Sequence, residues 1–396
     1  MSVAWDEKVG KAASARGPAG LWELAGRWRG VGIAVGILAL TRIGQLAMLL
    51  WLGASAGDGV GLRGRLLVWD AGWFHRVAVN GYPHGYTFDT EHVLQANELA
   101  FFPLYPMLIR GLDALGTDPG TAGIAVAWLA SVGAAVALHL LGTSLYGRRA
   151  GWALVALCCS APASVVLSMA YSESLFLALV AGMLVAAHRR VWWAAGLLGL
   201  GAGLTRPTGA AAALALTVAV LLEWRRPDAR RKVEAALAAI VALAGVPAFL
   251  GWVALRVGEP DAWFKIQTAG WGTSFDYGTS TFRFLDTALS RGDGWIPVSV
   301  ALILLVAAVA AVIALVRRPW LPLAVYGLTA MVLVYGQAGF YHSKPRLLLP
   351  VLLTLLPAVV SAARARPRVA VLSIIAWAAF GLWYGAYLVV VWPYTL

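Results

Sequence analysis

Long apolar runs separated by short polar turns cover most of the chain. Eleven stretches approach the roughly 20 apolar residues that a membrane-spanning helix needs. The pattern predicts an all-α polytopic membrane protein with about eleven transmembrane helices, in which a basic cytoplasmic N-terminus (1–30) precedes a single membrane domain (31–396). The predicted helices begin near residues 31, 119, 150, 171, 192, 207, 233, 297, 320, 346 and 369.

Two longer polar segments, at about 54–118 and 258–296, interrupt the apolar pattern. Both are rich in Trp, Tyr and Phe, which favour the boundary between membrane and water. The stretch 101–115 is too short to span a bilayer and carries Arg110 and Asp113. We therefore expect interfacial or re-entrant helices in the first of these outer loops.

Composition and charge agree with a membrane protein. Hydrophobic residues make up 60% of the chain and charged residues 13%, whereas soluble domains are about one quarter charged. The net charge is +12, but the basic residues are spread over many turns, which argues against nucleic-acid binding. Most Lys and Arg residues fall in the turns that are cytoplasmic if the N-terminus is inside, as the positive-inside rule requires. Cys158 and Cys159 are adjacent in an apolar run and predict neither a disulfide framework nor a metal site.

Polar segments collect on the predicted outer side. Polar groups at a membrane are costly, so their convergence predicts a functional site on the extracytoplasmic face. The segments are 69–83, 97–106, 171–174, 205–209, 261–272 and 342–346.

Asp70 is the strongest catalytic candidate. It lies in the aromatic segment WDAGWFHR, close to His75 and Arg76. A carboxylate in such a place can act as a general base toward a sugar hydroxyl. The alternative is a helix cap or an ion pair with Arg76.

Three outer cations, Arg206, Lys344 and Arg346, predict a phosphate site. Arg offers a fork of donors to phosphate oxygens, and Lys offers a point charge. The alternative is that each side chain simply extends toward water from a helix end.

Several other polar residues have two interpretations each. Glu173 and Glu98 are candidates for binding sugar hydroxyls, or carboxylates favoured by a helix N-terminus. Gln267 and Trp271 are candidates for a sugar platform, or members of an interfacial aromatic belt. No cofactor or metal is predicted. Asp89 and Glu91 have a spacing that can share a cation, but a solvated loop is the preferred interpretation.

The segments WDAGWFHRVAVNGY and AFFPLYP resemble the PIG-V-like mannosyltransferase family. YSESLF, GLTRPTG, KIQTAGWG and KPRLLLP follow in the same order as in that family, so the resemblance covers about 65–350. It implies a GT-C glycosyltransferase fold, a polyprenyl-phosphate mannose donor, an extracytoplasmic active site and inversion at the sugar, with Asp70 as base. The residues expected to contact sugar or acceptor are Arg76, His75, Glu98, Tyr105, Glu173, Gln267, Trp271 and His342.

The resemblance implies transfer of mannose to a lipid or a cell-envelope glycan. The Ala- and Arg-rich composition suggests a bacterial plasma membrane; a eukaryotic source would place the protein in the ER membrane. One alternative is a GT-C transferase for another lipid-linked sugar, such as arabinose or glucose. Another is a lipid or glycan transporter, but transporters carry charges near the bilayer midplane and often show internal repeats, neither of which is evident here.

Overall fold

A computed structural model describes residues 21–225, 228–292 and 294–394. The N-terminal quarter consists of one long helix followed by short elements of the first outer segment. Its elements are α1 (Leu21–Ala56), α2 (Leu62–Leu66), α3 (Asp70–Asn80), an antiparallel hairpin of β1 (Thr87–Phe88) and β2 (Leu94–Gln95), a 3₁₀ turn (Glu98–Ala100) and α4 (Leu104–Asp113).

The remainder is a helical bundle with two short helices in the second outer segment. The helices are α5 (Pro119–Tyr146), α6 (Arg148–Cys159), α7 (Glu173–His188), α8 (Trp192–Thr205), α9 (Gly209–Glu223), α10 (Ala229–Val257), α11 (Ala262–Trp271), α12 (Thr279–Arg291), α13 (Trp295–Val316), α14 (Leu321–Gly336), α15 (Lys344–Leu348), α16 (Leu356–Arg364) and α17 (Pro367–Val390). Further 3₁₀ turns cover Ser164–Leu167, Tyr341–Ser343 and Leu352–Leu355.

All eleven predicted apolar segments are helical, but many are short. Among the described residues, five helices are long and apolar enough to cross a membrane, or six if the bent pair Tyr341–Leu348 and Leu352–Arg364 forms one span. This number is lower than the predicted eleven because several helices, such as the 16-residue α7 and α14, end before reaching spanning length. The predicted N-terminal segment 1–30 lies mostly outside the described residues.

Successive helices run alternately between two ends of the bundle. We call the end where α7 begins and α14 finishes the upper end, and the opposite end the lower end. At the lower end, the rings of His188 and Trp320 lie 5.1 Å apart, and Arg190 Nε lies 3.2 Å from Glu223 Oε2. These contacts join α7, α9 and the start of α14.

Small residues allow α8 and α10 to pack closely. Gly203 on α8 faces Gly245 on α10, and a Cβ on Gly203 would lie 2.9 Å from the Gly245 Cα. Close approach through small residues is the usual way in which membrane helices gain contact area. This packing holds the C-terminal end of α8, and therefore Arg206, at the upper end.

Arg42 on α1 supports a buried irregular segment between α6 and α7. Its guanidinium donates to the carbonyl oxygens of Cys159 and Ser164 (2.7 Å for Ser164) and to Ser168 Oγ (3.0 Å). Buried backbone outside a helix needs such donors because no water is available to it. Arg42, itself only 2% exposed, thus fixes the chain that leads into Tyr171 and Glu173.

Aromatic packing holds the first outer segment on the bundle. The Phe74 ring of α3 lies 4.8 Å from that of Tyr105 on α4, and the Tyr105 hydroxyl donates to Gly123 O of α5 at 2.8 Å. The predicted stretch 101–115 forms the short helix α4, which is amphipathic and lies beside α3. Together these contacts orient the N-terminus of α3, where Asp70 lies.

Candidate active site

A cavity of about 440 Å³ opens at the upper end of the bundle. Residues from α3, α8, α11, α14 and α15 contribute to its wall. Its lining includes Asp70, Trp73, Phe101, Ser172, Arg206, Gln267, Trp271, Gln337, Lys344 and Arg346.

Four charged side chains form a network beside this cavity. Arg346 Nη1 lies 2.6 Å from Asp70 Oδ2, and Arg346 Nε lies 3.8 Å from Glu173 Oε1. Arg206 Nη1 lies 2.7 Å from the same Glu173 oxygen and also donates to Ser172 Oγ at 3.3 Å. The network contains two carboxylates and two guanidinium groups, so its formal charge is balanced. The predicted convergence of Asp70, Glu173, Arg206 and Arg346 is therefore observed in the geometry.

The Arg346 guanidinium lies close to two carboxylates, but two of its nitrogen atoms make no well-aligned hydrogen bond. Its Nε and Nη1 are both buried, and neither N–H is aligned with an acceptor among the described residues. The Arg346 side chain is 12% exposed and the Asp70 side chain 21%. Buried donors normally find aligned acceptors, so these N–H groups are unsatisfied in the observed arrangement.

The backbone at Trp69 and the side chain of Tyr171 position Asp70. Trp69 has φ of +56° and ψ of −112°, a conformation that costs a non-glycine residue on the order of 1–3 kcal/mol. The Asp70 N–H donates to the Tyr171 hydroxyl at 3.3 Å. Tyr171 also places its ring 5.3 Å from the Arg346 guanidinium carbon. Asp70 Oδ1 makes no hydrogen bond within the described part of the chain, which leaves it available to a substrate.

Lys344 lines the cavity, but its ammonium group already donates two hydrogen bonds to backbone carbonyl oxygens. Its Nζ donates to Val334 O at 2.8 Å and to Gln337 O at 2.7 Å. These bonds close the turn between α14 and α15 at the upper end. One donor remains for a ligand, so the predicted phosphate contact of Lys344 stays a prediction.

An aromatic wall faces the charged network. The Trp73 ring lies 5.5 Å from the rings of both Phe101 and Trp271. Gln267 Nε2 donates to Ala100 O at 3.0 Å, which leaves its amide oxygen for another partner. Apolar ring faces beside polar groups suit a sugar, whose own faces are apolar and whose edges carry hydroxyls.

Residues 59–221 match the family model of mannosyltransferase (PIG-V). The PIG-V resemblance is confirmed. The matched segment contains Asp70, Glu173 and Arg206, whereas Lys344 and Arg346 lie beyond it. The match supports an enzyme of the glycosyltransferase class, specifically a mannosyltransferase. No sequence among the curated proteins matches this chain.

Solved structures of an archaeal oligosaccharyltransferase from Archaeoglobus fulgidus share the fold. The apo structure aligns with a TM-score of 0.51 at 13% identity, over 90% of this chain and 56% of that one. A structure of the AglB oligosaccharyltransferase with an inhibitory peptide and a dolichol-phosphate aligns with a TM-score of 0.47 at 11% identity, over the same shares. The chain thus spans little more than half the length of these proteins. The alignment with the apo structure, at a TM-score of 0.51, confirms the predicted GT-C fold.

Six predicted contact residues lie outside the cavity wall: Glu173, which belongs to the charged network beside the cavity, and Arg76, His75, Glu98, Tyr105 and His342. Arg76 Nε lies 2.8 Å from Glu98 Oε1, and the Arg76 guanidinium lies 3.9 Å from the centre of the Trp73 ring. His75 is exposed on α3. Tyr105 is buried against α5, and His342 is buried with its ring 5.3 Å from that of Phe340. The Arg76 alternative for Asp70 does not occur, because Arg76 pairs with Glu98 instead.

The Asp89 carboxylate stabilises the β1–β2 hairpin. Its Oδ1 accepts the N–H groups of Glu91 and Val93 at 2.9 Å each, and its Oδ2 accepts Gln95 Nε2 at 2.8 Å. Both oxygens are thus engaged by the turn that they close. In the ranges that the structure describes, no group of three His, Cys, Asp or Glu side chains could hold a metal ion.

Four residues in or beside the cavity were not predicted from the sequence. Tyr171 and Ser172 lie next to Glu173 in the YSES segment, and both contact the charged network. Gln337 interrupts an apolar helix end as GQAG, which is a detectable polar signal beside a membrane. Trp73 was part of the Asp70 motif, but its role as a wall residue depends on contacts with distant segments.

Proposed function

We propose that the protein is an inverting mannosyltransferase that moves mannose from a polyprenyl-phosphate donor to a lipid or cell-envelope glycan acceptor on the extracytoplasmic face. The observation that carries this proposal is the contact of Asp70 with Arg346 at the wall of the upper cavity. A carboxylate and a guanidinium supply the two functions that the reaction needs. The PIG-V match over 59–221 supports mannose as the sugar.

Arg346 and Arg206 would bind the donor phosphate. The unaligned Arg346 donors suit phosphate oxygens, and a guanidinium can present two parallel N–H groups to them. Arg206 lies on the other side of the shared Glu173 carboxylate. The donor is a phosphodiester that becomes a more highly charged phosphomonoester when the sugar leaves. These cations would therefore stabilise the transition state more than the ground state.

Asp70 would act as the general base. An acceptor hydroxyl oxygen attacks the anomeric carbon, and the bond from that carbon to the phosphate oxygen breaks with its electron pair leaving on phosphate. The hydroxyl proton goes to the Asp70 carboxylate, whose Oδ1 is free for it. A single displacement of this kind inverts the configuration. Phosphate is a good leaving group, so no general acid is required.

The aromatic wall would hold the sugar during this step. Trp73 and Trp271 offer aromatic surface to the cavity, and the amide oxygen of Gln267 can accept a hydrogen bond from a sugar hydroxyl. The cavity volume of about 440 Å³ lies in the range of small-ligand sites. The polyprenyl tail would extend from the cavity into lipid.

The distribution of charge supports an extracytoplasmic site. The basic turns, including Arg189–Arg190 and Arg317–Arg318, lie at the lower end, and the cavity lies at the upper end. By the positive-inside rule the lower end would face the cytoplasm. A lipid-linked donor also suits this face, because nucleotide sugars are not expected there.

The direct test is transfer by the purified protein. It would be incubated with radiolabelled polyprenyl-phosphate mannose and a membrane lipid extract, and the labelled products would be separated by thin-layer chromatography. We expect a new labelled glycolipid that an Asp70→Asn protein does not form. Labelling from GDP-mannose alone, or no transfer to any acceptor fraction, would contradict the proposal.

A further inference from the structure

A second cavity, of about 510 Å³, lies at the lower end of the bundle. It is lined by the C-terminal ends of α5 and α13, by the turn that leads into α14, and by α16 from its first residue, Leu356, to its last, Arg364. The α14 helix separates the two cavities: Trp320 precedes it at the lower cavity, and Gln337 follows it at the upper one. The 16 residues of α14 correspond to about 24 Å of helix, so this cavity is not part of the candidate active site.

The lower cavity combines a cationic rim with an apolar interior. Arg317, Arg318 and Arg364 line it, and their side chains form no ion pair or hydrogen bond with any residue that the structure describes. Its apolar wall includes Leu356, which is buried, and Val360. The remaining lining residues are Leu145, Tyr146, Ala314, Pro319, Trp320 and Pro357.

The positive charge of the three arginines is larger than the negative partial charge of the helix C-termini beside them. A helix C-terminus carries roughly half a negative charge, which basic residues in the last turn commonly offset. Three such ends meet here, together with the N-terminus of α14, which carries roughly half a positive charge, so three guanidinium groups leave about two positive charges uncompensated. No carboxylate lines the cavity. This excess positive charge favours the binding of an anion.

The apolar surroundings favour a lipid over a free ion. A volume of about 510 Å³ is far larger than a phosphate ion needs and matches a site for a larger ligand. An apolar surface continues from the cavity onto α13 and α14, where Val316 is 76% and Leu321 50% exposed. An acyl chain could follow that surface. Basic pockets between membrane helices are a recognised site for anionic lipid headgroups.

We propose that the lower cavity binds an anionic membrane phospholipid. Its phosphate contacts Arg317, Arg318 and Arg364, and its acyl chain lies along the wall that contains Leu356 and Val360. The site is separate from the proposed transfer reaction and does not depend on it. The lipid would link the C-terminal ends of α13 and α16, whose arginines otherwise repel one another.

The test is lipid binding by native mass spectrometry on the delipidated full-length protein in a mild detergent. Phosphatidylglycerol is titrated in, with zwitterionic phosphatidylcholine and inorganic phosphate in separate arms. We expect a saturable site for phosphatidylglycerol, and no comparable site for phosphatidylcholine. If inorganic phosphate alone displaces the lipid at equal concentration, the site is an ion site and the lipid proposal is overturned.

A triple variant removes the rim charges: Arg317→Gln, Arg318→Asn and Arg364→Gln. Asn is used at 318 because Arg318 has φ of +49°, which Asn tolerates better than most residues. Each basic residue near an anionic lipid contributes roughly fivefold to binding, so we expect affinity to fall by about 100-fold. If the triple variant fails to fold, Arg364→Gln alone should weaken binding by about fivefold. Unchanged affinity in a folded variant would refute the site.

The matched control removes three arginines of the same end that do not line the cavity. It carries Arg149→Gln, Arg366→Gln and Arg368→Gln, all of which are exposed. We expect its affinity for phosphatidylglycerol to stay within a few-fold of the unmodified protein. An equal loss in the control would show that general surface charge, and not the cavity, attracts the lipid.

Discussion

The replacement Asp70→Asn tests the base most directly. Asparagine keeps the size of the side chain but cannot accept a proton from an acceptor hydroxyl. Loss of a general base lowers the rate by about 10²–10⁴, which corresponds to roughly 3–5 kcal/mol on the barrier. We expect kcat to fall by that factor while the KM for donor changes much less.

The replacement also disturbs the charged network, and this effect must be separated from catalysis. Arg346 would keep only Glu173, at 3.8 Å, and Glu173 already pairs with Arg206. Breaking a fully buried ion pair costs about 3–5 kcal/mol, but the Asp70 side chain is 21% exposed and water screens part of this cost. We therefore expect a lower melting temperature in detergent but a folded protein.

The assay is single-turnover transfer of radiolabelled mannose, normalised to the folded fraction from size-exclusion chromatography. Glu98→Gln is the matched control, because Glu98 makes a similar ion pair with Arg76 at 2.8 Å but does not line the cavity. It should lose less than about tenfold. Asp70→Asn turnover within tenfold of the unmodified protein would refute the base assignment.

Three further predictions concern the phosphate site, the topology and the packing. Arg346→Ala should raise the donor KM and lower kcat, and Arg346→Lys should recover only part of both, since a bidentate contact needs the guanidinium; equal donor kinetics in all three proteins would exclude a phosphate contact. A cysteine at Ser290 should react with an impermeant maleimide in intact cells, and a cysteine at Asp228 should not. The background labelling should be low, because both native cysteines are buried. The opposite result would invert the topology. Gly381→Ala should lower the melting temperature, because the new Cβ would overlap a backbone carbonyl oxygen of the segment after α6. Gly36→Ala is the control, because a Cβ there meets no atom within 4 Å and should leave the melting temperature unchanged. Equal melting temperatures of the two variants would contradict this packing.

Apolar patterning predicted where the helices lie, because hydrophobic runs are the main requirement of a membrane helix. It did not predict their lengths. The boundary between α6 and α7 depends on Arg42, which supplies donors to an irregular buried segment from a distant part of the chain. In the sequence, Arg42 is only a basic residue inside the first apolar run.

The members of the charged network could be predicted, but their pairing could not. Polar segments at helix ends on one side of a bundle must lie near one another, which brought Asp70, Glu173, Arg206 and Arg346 together. That Asp70 contacts Arg346 rather than Arg76 depends on the backbone of Trp69. Its positive φ is rare for a non-glycine residue and leaves no sequence signal.

The balanced network implies an order for the proposed reaction. In the observed arrangement Asp70 and Arg346 neutralise each other at 2.6 Å. A phosphodiester carries one negative charge, so the donor phosphate could take the place of the Asp70 carboxylate as the ion-pair partner of Arg346. Asp70 would then be free to receive a proton only after the donor is bound.

On this mechanism the donor binds before the acceptor becomes reactive. Polyprenyl phosphate, which is the leaving group of the proposed reaction, should therefore inhibit competitively against the donor. Against the acceptor it should inhibit noncompetitively, and the inhibition should persist at a saturating acceptor concentration. Arg346→Ala should weaken this inhibition by about one to two orders of magnitude, since a hydrogen bond to a charged group contributes roughly 1.5–3 kcal/mol. Competitive inhibition against the acceptor would place polyprenyl phosphate in the acceptor site, and uncompetitive inhibition would mean that the acceptor binds first. Either result would refute the proposed exchange at Arg346.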